Sequence, residues 1–156
     1  MAKRTTAYIG IGSNTGDRLL HLTSAVERLD ESENVSVTKR SSVYESEPEG
    51  PSRNPFFNGV VEVRTTLKPK ELLALCQEIE AAHGRVRAVR WGDRTLDLDI
   101  LLYDDLTVDE PYLRIPHPRM WTREFVCVPL AEIAPERLVP DRRACIAGRI
   151  IRKVEA

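Results

Sequence analysis

Residues 85–103 read R-V-R-A-V-R-W-G-D-R-T-L-D-L-D-I-L-L-Y and end in a pattern typical of a β-strand. Because side chains alternate across a strand, Asp97 and Asp99 are predicted to point from the same face. The other face carries apolar side chains for a core: Leu96, Leu98 and Ile100. Two carboxylates held side by side repel one another unless a cation lies between them, and Mg²⁺ prefers oxygen ligands and substrate phosphates. The strand therefore predicts a magnesium site.

The segment just before this strand is rich in arginine. Arg85, Arg87, Arg90 and Arg94 supply planar forks that suit phosphate oxygens. A metal ion together with arginines recurs in the active sites of enzymes that transfer phosphoryl groups. The alternative is a solvated strand edge with weak surface ion pairs. The apolar neighbours of the aspartates favour the first interpretation, because buried charges are seldom left unpaired. The whole stretch thus indicates a nucleotide-polyphosphate site.

Composition describes an ordinary globular chain of 156 residues, with 42% hydrophobic and 30% charged residues and a formal net charge of -1. We expect one domain over 1–156, binding neither nucleic acid nor a membrane, since the charge is balanced and no apolar run approaches the ~20 residues of a membrane span. Cys76, Cys127 and Cys145 are odd in number and widely spaced, which favours reduced thiols. With no signal-peptide pattern, we expect a cytoplasmic location and, by default, a monomer.

Hydrophobic periodicity predicts the order β-α-β-β-α-β along the chain. Strand patterns occupy four segments: 6–12, 35–44, 57–65 and 96–103. Helical stripes follow the S-N-T-G-D turn at 13–17 and the proline at position 69. The tail adds a helix candidate at 120–132 and an ambiguous strand or helix at 145–154. We therefore predict an α+β fold: a ferredoxin-like βαββαβ antiparallel sheet with helices on one face, plus C-terminal additions.

Glycines near the start of the chain do not form a recognised nucleotide loop. Gly10, Gly12 and Gly16 resemble the dinucleotide fingerprint, but Thr15 stands where that fingerprint requires glycine. There is also no G-K-[ST] of a Walker loop. The pattern instead predicts a tight turn from strand to helix.

Several polar and aromatic residues could serve either a site or ordinary structure. Gln77 and Glu80 share a helix face, which is typical of simple solvation unless the nearby arginines give it a ligand. His117 is either a structural hydrogen-bonder or a donor to phosphate. Aromatic side chains could stack a flat heterocycle or fill a core: Phe56, Phe57, Trp91, Trp121 and Phe125. Asn58 beside Phe56 could both donate to and accept from the edge of a heterocycle.

Six motifs in order along the chain resemble the 6-hydroxymethyl-7,8-dihydropterin pyrophosphokinase family. They are A-Y-I-G-I-G-S-N-T-G-D-R, S-S-V-Y-E-S-E-P-E-G-P, F-F-N-G-V-V, Q-E-I-E-A-A-H-G-R-V-R, R-W-G-D-R-T-L-D-L-D-I-L-L-Y and I-P-H-P-R-M-W-T-R-E-F-V. The resemblance runs from about Ala7 to Pro135. It implies a ferredoxin-like α+β fold and a role in folate biosynthesis. The implied reaction transfers the pyrophosphoryl group of ATP to the pterin hydroxymethyl group and releases AMP.

The resemblance also implies a role for each matching residue. Asp97 and Asp99 would be catalytic and would hold two Mg²⁺ ions that bridge the ATP phosphates. Catalytic arginines would be Arg85 and Arg94. Nucleotide-binding residues would be Gln77, Glu80, Arg87, Arg90, Trp91, Ile100, His117 and Arg123. Pterin-binding residues would be Ser46, Glu49, Phe56, Asn58, Trp91 and Phe125. Asp93 stands where the family usually has proline, and Ser46 stands where threonine is common.

Other classes of function remain open from the residues alone. Ferredoxin-like folds also host RNA-recognition sheets, although Asp97 and Asp99 would repel phosphates without a metal. A metal-dependent hydrolase could use the same pair differently, and a nucleotide-binding relic could retain the pair without turnover. A product assay separates these possibilities, since AMP with a pyrophosphorylated pterin supports the kinase, whereas ADP or phosphate indicates hydrolysis.

Overall fold

The computed structural model describes residues 3–48, 53–84, 95–138 and 148–154. Its strands are β1 (Thr5–Ser13), β2 (Val35–Arg40), β3 (Val43–Ser46), β4 (Phe56–Thr65), β5 (Asp97–Tyr103), β6 (Val108–Glu110), β7 (Leu113–Ile115) and β8 (Ile150–Val154). Its α-helices are α1 (Arg18–Glu31), α2 (Pro69–Ala82) and α3 (Glu124–Ile133), with single 3₁₀ turns at Met120–Thr122 and Pro135–Arg137. None of the helices in these ranges is long and apolar enough to cross a membrane.

The main sheet has the strand order β5-β1-β4-β3-β8, and β2 also pairs with β4. Its described pairings are all antiparallel. The single strand predicted over 35–44 is wrong, because β2 ends at Arg40 and β3 begins at Val43. Between them, the Ser42 backbone N–H donates to the Glu132 carboxylate on α3 at 2.9 Å, so the chain leaves the strand pairing there. The small β6-β7 hairpin was not predicted.

The first core lies between the main sheet and helices α1 and α2. Asp17 caps α1 by accepting from the Leu20 N–H at 3.1 Å. The buried stripes of α1 and α2 pack on alternate residues of β1: Ala7, Ile9 and Ile11. These two helices therefore share one face of the sheet, as predicted.

The C-terminal helix covers the opposite face. A single helix over 120–132 was predicted, but Arg123 is extended (φ −105°, ψ 116°) and separates a 3₁₀ turn from α3. A second core joins Val126 and Leu130 of α3 to Tyr8 and Val60 of the sheet. Helix α3 thus lies on the sheet face opposite α1 and α2. The ambiguous segment at 145–154 contributes strand β8, which pairs with β3.

Two histidines join α1 to the end of α2. His21 Nδ1 lies 2.7 Å from His83 Nδ1, and the rings meet edge to face with centroids 5.0 Å apart. One nitrogen must donate and the other accept, so the contact requires that the two rings are not both protonated. The pKa of His83 is lowered by burial, and further by the neighbouring His21 and Arg28. The charged form of His83 is therefore disfavoured in the folded protein.

This pair predicts that the protein loses stability as the pH falls. Unfolded His83 takes up a proton near its ordinary pKa of 6.5, whereas folded His83 does so only at lower pH. The unfolded state thus binds more protons below that pH, and the free energy of unfolding decreases. We expect the urea midpoint to fall between pH 7.5 and pH 5.5, and to fall less in His83→Gln. An equal fall in both proteins would contradict the assignment.

Candidate active site

A cleft lies on the sheet face opposite α1 and α2, between the sheet and the start of α3. Residues from β1, β4, β5 and α3 line it, together with one residue just after β3 and one just before α3: Gly10, Ile11, Gly12, Glu47, Phe56, Asn58, Gly59, Asp97, Asp99, Leu101, Arg123, Phe125 and Val126. Most of the predicted site residues that the structure describes meet here.

Two glycines of β1 form the floor of the cleft. In the pairing of β1 with β5, Gly12 lies opposite Asp97 and Gly10 lies opposite Asp99. A Cβ at Gly12 would lie 2.9 Å from Asn58 Oδ1, so a side chain there would displace the asparagine. Gly10 and Gly12 thus lie in the strand predicted over 6–12, and Gly16, with φ 73°, lies in the turn predicted at 13–17. A glycine inside a strand indicates close approach by a ligand or another group.

Asp97 and Asp99 both line the cleft, as strand alternation predicts. Both are half-buried, and the intervening Leu98 packs in the first core. Across from the two carboxylates, Gly10 and Gly12 have no side chains that could fill the space. A hard cation that shares its remaining ligands with phosphate oxygens and water suits this donor set. No larger cluster exists in the described ranges, where no three His, Cys, Asp or Glu side chains group around a metal position.

Glu80 supports the aspartate pair from behind the sheet. Its side chain is buried, and Oε2 accepts from the Leu98 backbone N–H at 2.8 Å. That N–H lies between the two aspartates on β5, which is the first strand of the main sheet among the residues that the structure describes. Gln77 is exposed on the same helix. Neither side chain lines the cleft, so their predicted nucleotide contacts stay predictions.

Aromatic and amide side chains occupy the other side of the cleft. Phe56 begins β4 and Phe125 lies in the first turn of α3, so two separate elements contribute the rings. Asn58 is buried, and its Nδ2 donates to the buried Ser46 Oγ at 2.5 Å. This contact fixes the orientation of the amide. A flat heterocycle could stack on such rings and exchange hydrogen bonds with the amide.

Only some of the residues that are predicted to contact the nucleotide line this cleft. Arg123 lines the cleft, with its guanidinium carbon 5.3 Å from the centroid of Phe125. His117 lies beside the end of β5, where its N–H donates to the Leu101 carbonyl at 3.0 Å, but it does not line the cleft. Ile100 is 3% exposed and packs in the first core. Its side chain does not line the cleft, so the nucleotide contact predicted for Ile100 stays a prediction.

Several predicted residues lie outside the part of the chain that the structure describes: Glu49, Arg85, Arg87, Arg90, Trp91 and Arg94. Conversely, seven lining residues were not predicted as site residues: Gly10, Ile11, Gly12, Glu47, Gly59, Leu101 and Val126. Leu101 and Val126 look like core residues in sequence. They reach the cleft because α3 packs on this face, which the periodicity does not specify.

Comparison with known proteins gives one consistent answer. The family model described as 7,8-dihydro-6-hydroxymethylpterin-pyrophosphokinase (HPPK) matches residues 8–135. A protein of Bacillus subtilis (strain 168), named 2-amino-4-hydroxy-6-hydroxymethyldihydropteridine pyrophosphokinase, is 50% identical over 131 residues, covering 83% of this chain and 78% of that protein. A protein of the same name from Haemophilus influenzae is 44% identical over 137 residues, covering 87% and 86%.

Solved structures agree on the fold. A crystal structure of HPPK-DHPS in complex with substrates superposes with a TM-score of 0.72 at 15% identity, covering 92% of this chain. Wild-type Plasmodium falciparum HPPK-DHPS with pteroate gives a TM-score of 0.70 at 15% identity. This chain spans 42% and 43% of those two chains, respectively. At such low identity these matches show a shared fold.

Proposed function

Because the chain belongs to the 7,8-dihydro-6-hydroxymethylpterin-pyrophosphokinase family, we propose that it transfers the pyrophosphoryl group of ATP to 6-hydroxymethyl-7,8-dihydropterin and releases AMP. Membership confirms the resemblance of the sequence motifs. The observation that carries the proposal is one cleft that holds both an aspartate pair and an aromatic-amide pocket. The first suits a metal with polyphosphate, and the second suits a flat heterocycle.

The acceptor pocket is proposed from three described side chains. Phe56 and Phe125 offer aromatic faces to the pterin ring, and such stacking contributes about 0.5–1.5 kcal/mol beyond burial. Asn58 reads the edge of the ring, with its amide held by Ser46. Glycine at position 12 keeps the floor open beside that amide. Glu49 and Trp91 remain proposed pterin contacts from the family resemblance.

Asp97 and Asp99 are the proposed ligands for Mg²⁺, and their fit rests on two carboxylates facing a side-chain-free floor. When bound, Mg²⁺ would neutralise charge on the ATP phosphates and help to orient them. The number of ions, two by the family resemblance, belongs to the same proposal. Arg123 would contribute a phosphate contact from the α3 side of the cleft. Arg85, Arg87, Arg90, Arg94 and His117 are proposed to do the same.

The proposed reaction is an in-line displacement at the β-phosphorus of ATP. The hydroxymethyl oxygen of the pterin forms a bond to the β-phosphorus and loses its proton. The bond between that phosphorus and the oxygen bridging to the α-phosphorus breaks, and AMP leaves with the electron pair. The chain contributes by holding the acceptor between its aromatic rings and by aligning the phosphates, since positioning and charge neutralisation dominate such transfers.

Two broader features belong to the same proposal. The order β5-β1-β4, with β2 and β3 beyond β4, supports a ferredoxin-like core for the β1-α1-β2/β3-β4-α2-β5 unit. We further propose that residues 1–156 act as one domain and as a cytoplasmic monomer. Analytical ultracentrifugation would test the last point directly.

The test of function is the release of AMP from ATP and Mg²⁺, with and without 6-hydroxymethyl-7,8-dihydropterin. We expect AMP and a pyrophosphorylated pterin in equal amounts, and only when the pterin is present. ADP or inorganic phosphate without pterin would instead indicate a metal-dependent hydrolase. The absence of any pterin-dependent AMP would refute the proposed transfer.

A further inference from the structure

We propose that Gly148 is a positioning residue that sets the ring of Phe125 against the cleft. Through it, the segment 148–154 would determine how tightly the acceptor heterocycle is held. This inference rests on the proposed function, because Phe125 is the proposed stacking partner of the pterin. Three features of the described residues carry it: a steric contact, two hydrogen bonds and the place of β8 in the sheet.

The steric contact joins the backbone of Gly148 to the Phe125 ring. A Cβ built on Gly148 would overlap the ring atoms Cδ2 and Cε2, and would lie 3.3 Å from Cγ. Gly148 also has φ 59°, a conformation that side chains disfavour. The absence of a side chain at this position therefore lets the ring lie against the backbone. Any larger residue must either push the ring aside or move the segment.

Two hydrogen bonds, one to a side chain and one between backbone groups, hold the same segment to both sides of the cleft. The Ile150 N–H donates to Glu124 Oε1 at 3.0 Å, and Glu124 is the residue before Phe125. The Arg149 carbonyl accepts from the Glu47 N–H at 2.8 Å, and Glu47 lines the cleft. The two residues that follow Gly148 are thus tied to the residue before Phe125 and to Glu47 in the cleft wall. For this reason we expect the Phe125 ring, rather than the segment, to yield to an added side chain.

The place of β8 in the sheet separates this effect from nucleotide binding. Ile150 pairs with Ser46 on β3, which in turn holds the amide of Asn58. In the strand order β5-β1-β4-β3-β8, the aspartates lie on the first strand and the segment on the last. A side chain added at Gly148 should therefore change the geometry of the acceptor pocket more than that of the proposed metal ligands. The expected signature is a change in pterin KM at constant ATP KM.

The experiment compares Gly148→Ala with Gly16→Ala. Both glycines have positive φ (59° and 73°), so both variants carry a similar backbone strain. At Gly16, the added Cβ would meet only the outer atoms of the His21 side chain, the nearest at 3.1 Å. We expect Gly148→Ala to raise the pterin KM about tenfold through weakened stacking, with the ATP KM unchanged. Gly16→Ala should lower the melting temperature without changing either KM.

The same comparison made in a Phe125→Leu background tests whether the effect passes through the ring. We expect Gly148→Ala to add little there, because the ring that it displaces is gone. Equal pterin KM values for Gly148→Ala and the wild type, or fully additive effects with Phe125→Leu, would overturn the inference alone. A wild type that makes no pterin-dependent AMP would refute the proposed function and the inference together.

Discussion

Asp97→Ala is expected to lower turnover at least about a thousandfold while leaving the fold intact. Removing one group that stabilises developing charge in the transition state already lowers kcat by a factor of about 10²–10³. Asp97 is half-buried and faces the cleft rather than a core. The β5 backbone around it pairs with β1, and the Glu80 carboxylate holds the adjacent N–H of Leu98. The variant should therefore lose a metal ligand without losing its strand.

The matched control for this variant is Asp109→Ala. Asp109 lies in the β6-β7 hairpin, its side chain is 85% exposed, and it pairs weakly with Arg114 at 3.5 Å. It changes the net charge by the same amount, but it does so outside the cleft, so turnover should stay at the wild-type level. Release of AMP and the melting temperature are measured for both variants. Near-normal turnover in Asp97→Ala would show that the carboxylate holds no essential metal.

The aspartate pair could be predicted because it depends on a local rule. Asp97 and Asp99 are two residues apart in a strand, and strand alternation alone places them on one face. The cap of α1 at Asp17 and the buried stripe of α2 follow equally local rules. The sequence also placed Asn58 and Ser46 in one pocket, although that came from the family motifs rather than from spacing. Their hydrogen bond is the structural counterpart.

Features that depend on distant partners could not be predicted from the sequence. The chain leaves the strand at Ser42 because Glu132, which is 90 residues away, accepts from its N–H. In β5, a bulge at Leu101 places Leu102 on the same face as Leu101, in the core under α3, so simple alternation ends after Leu101. The pairing of Gly12 with Asn58 across the sheet could not be predicted either, because strand register does not follow from local spacing. In each case the deciding contact is long-range.

Asn58→Leu is expected to lower kcat/KM for the pterin by about 100-fold or more, because a site built to hydrogen-bond its substrate depends strongly on that partner. Leucine has a similar volume, but its side chain neither donates nor accepts a hydrogen bond. The ATP KM should stay unchanged, since Asn58 lies on β4 and the proposed metal ligands lie on β5. Some stability should also be lost, because the buried Ser46 hydroxyl loses its partner, a cost of about 1–3 kcal/mol.

Ser46→Ala separates recognition of the pterin from support of the amide. It removes the hydroxyl that accepts from Asn58 Nδ2, but it leaves the amide in place to meet the substrate. We therefore expect a smaller loss of kcat/KM than in Asn58→Leu, and no further loss when both changes are combined, since the two residues act as one unit. Equal losses in the single variants would mean that the hydroxyl itself contacts the pterin. If Asn58→Leu kept its pterin kcat/KM, the amide would serve only to hold β3 against β4, and recognition of the ring edge would have to come from elsewhere in the cleft.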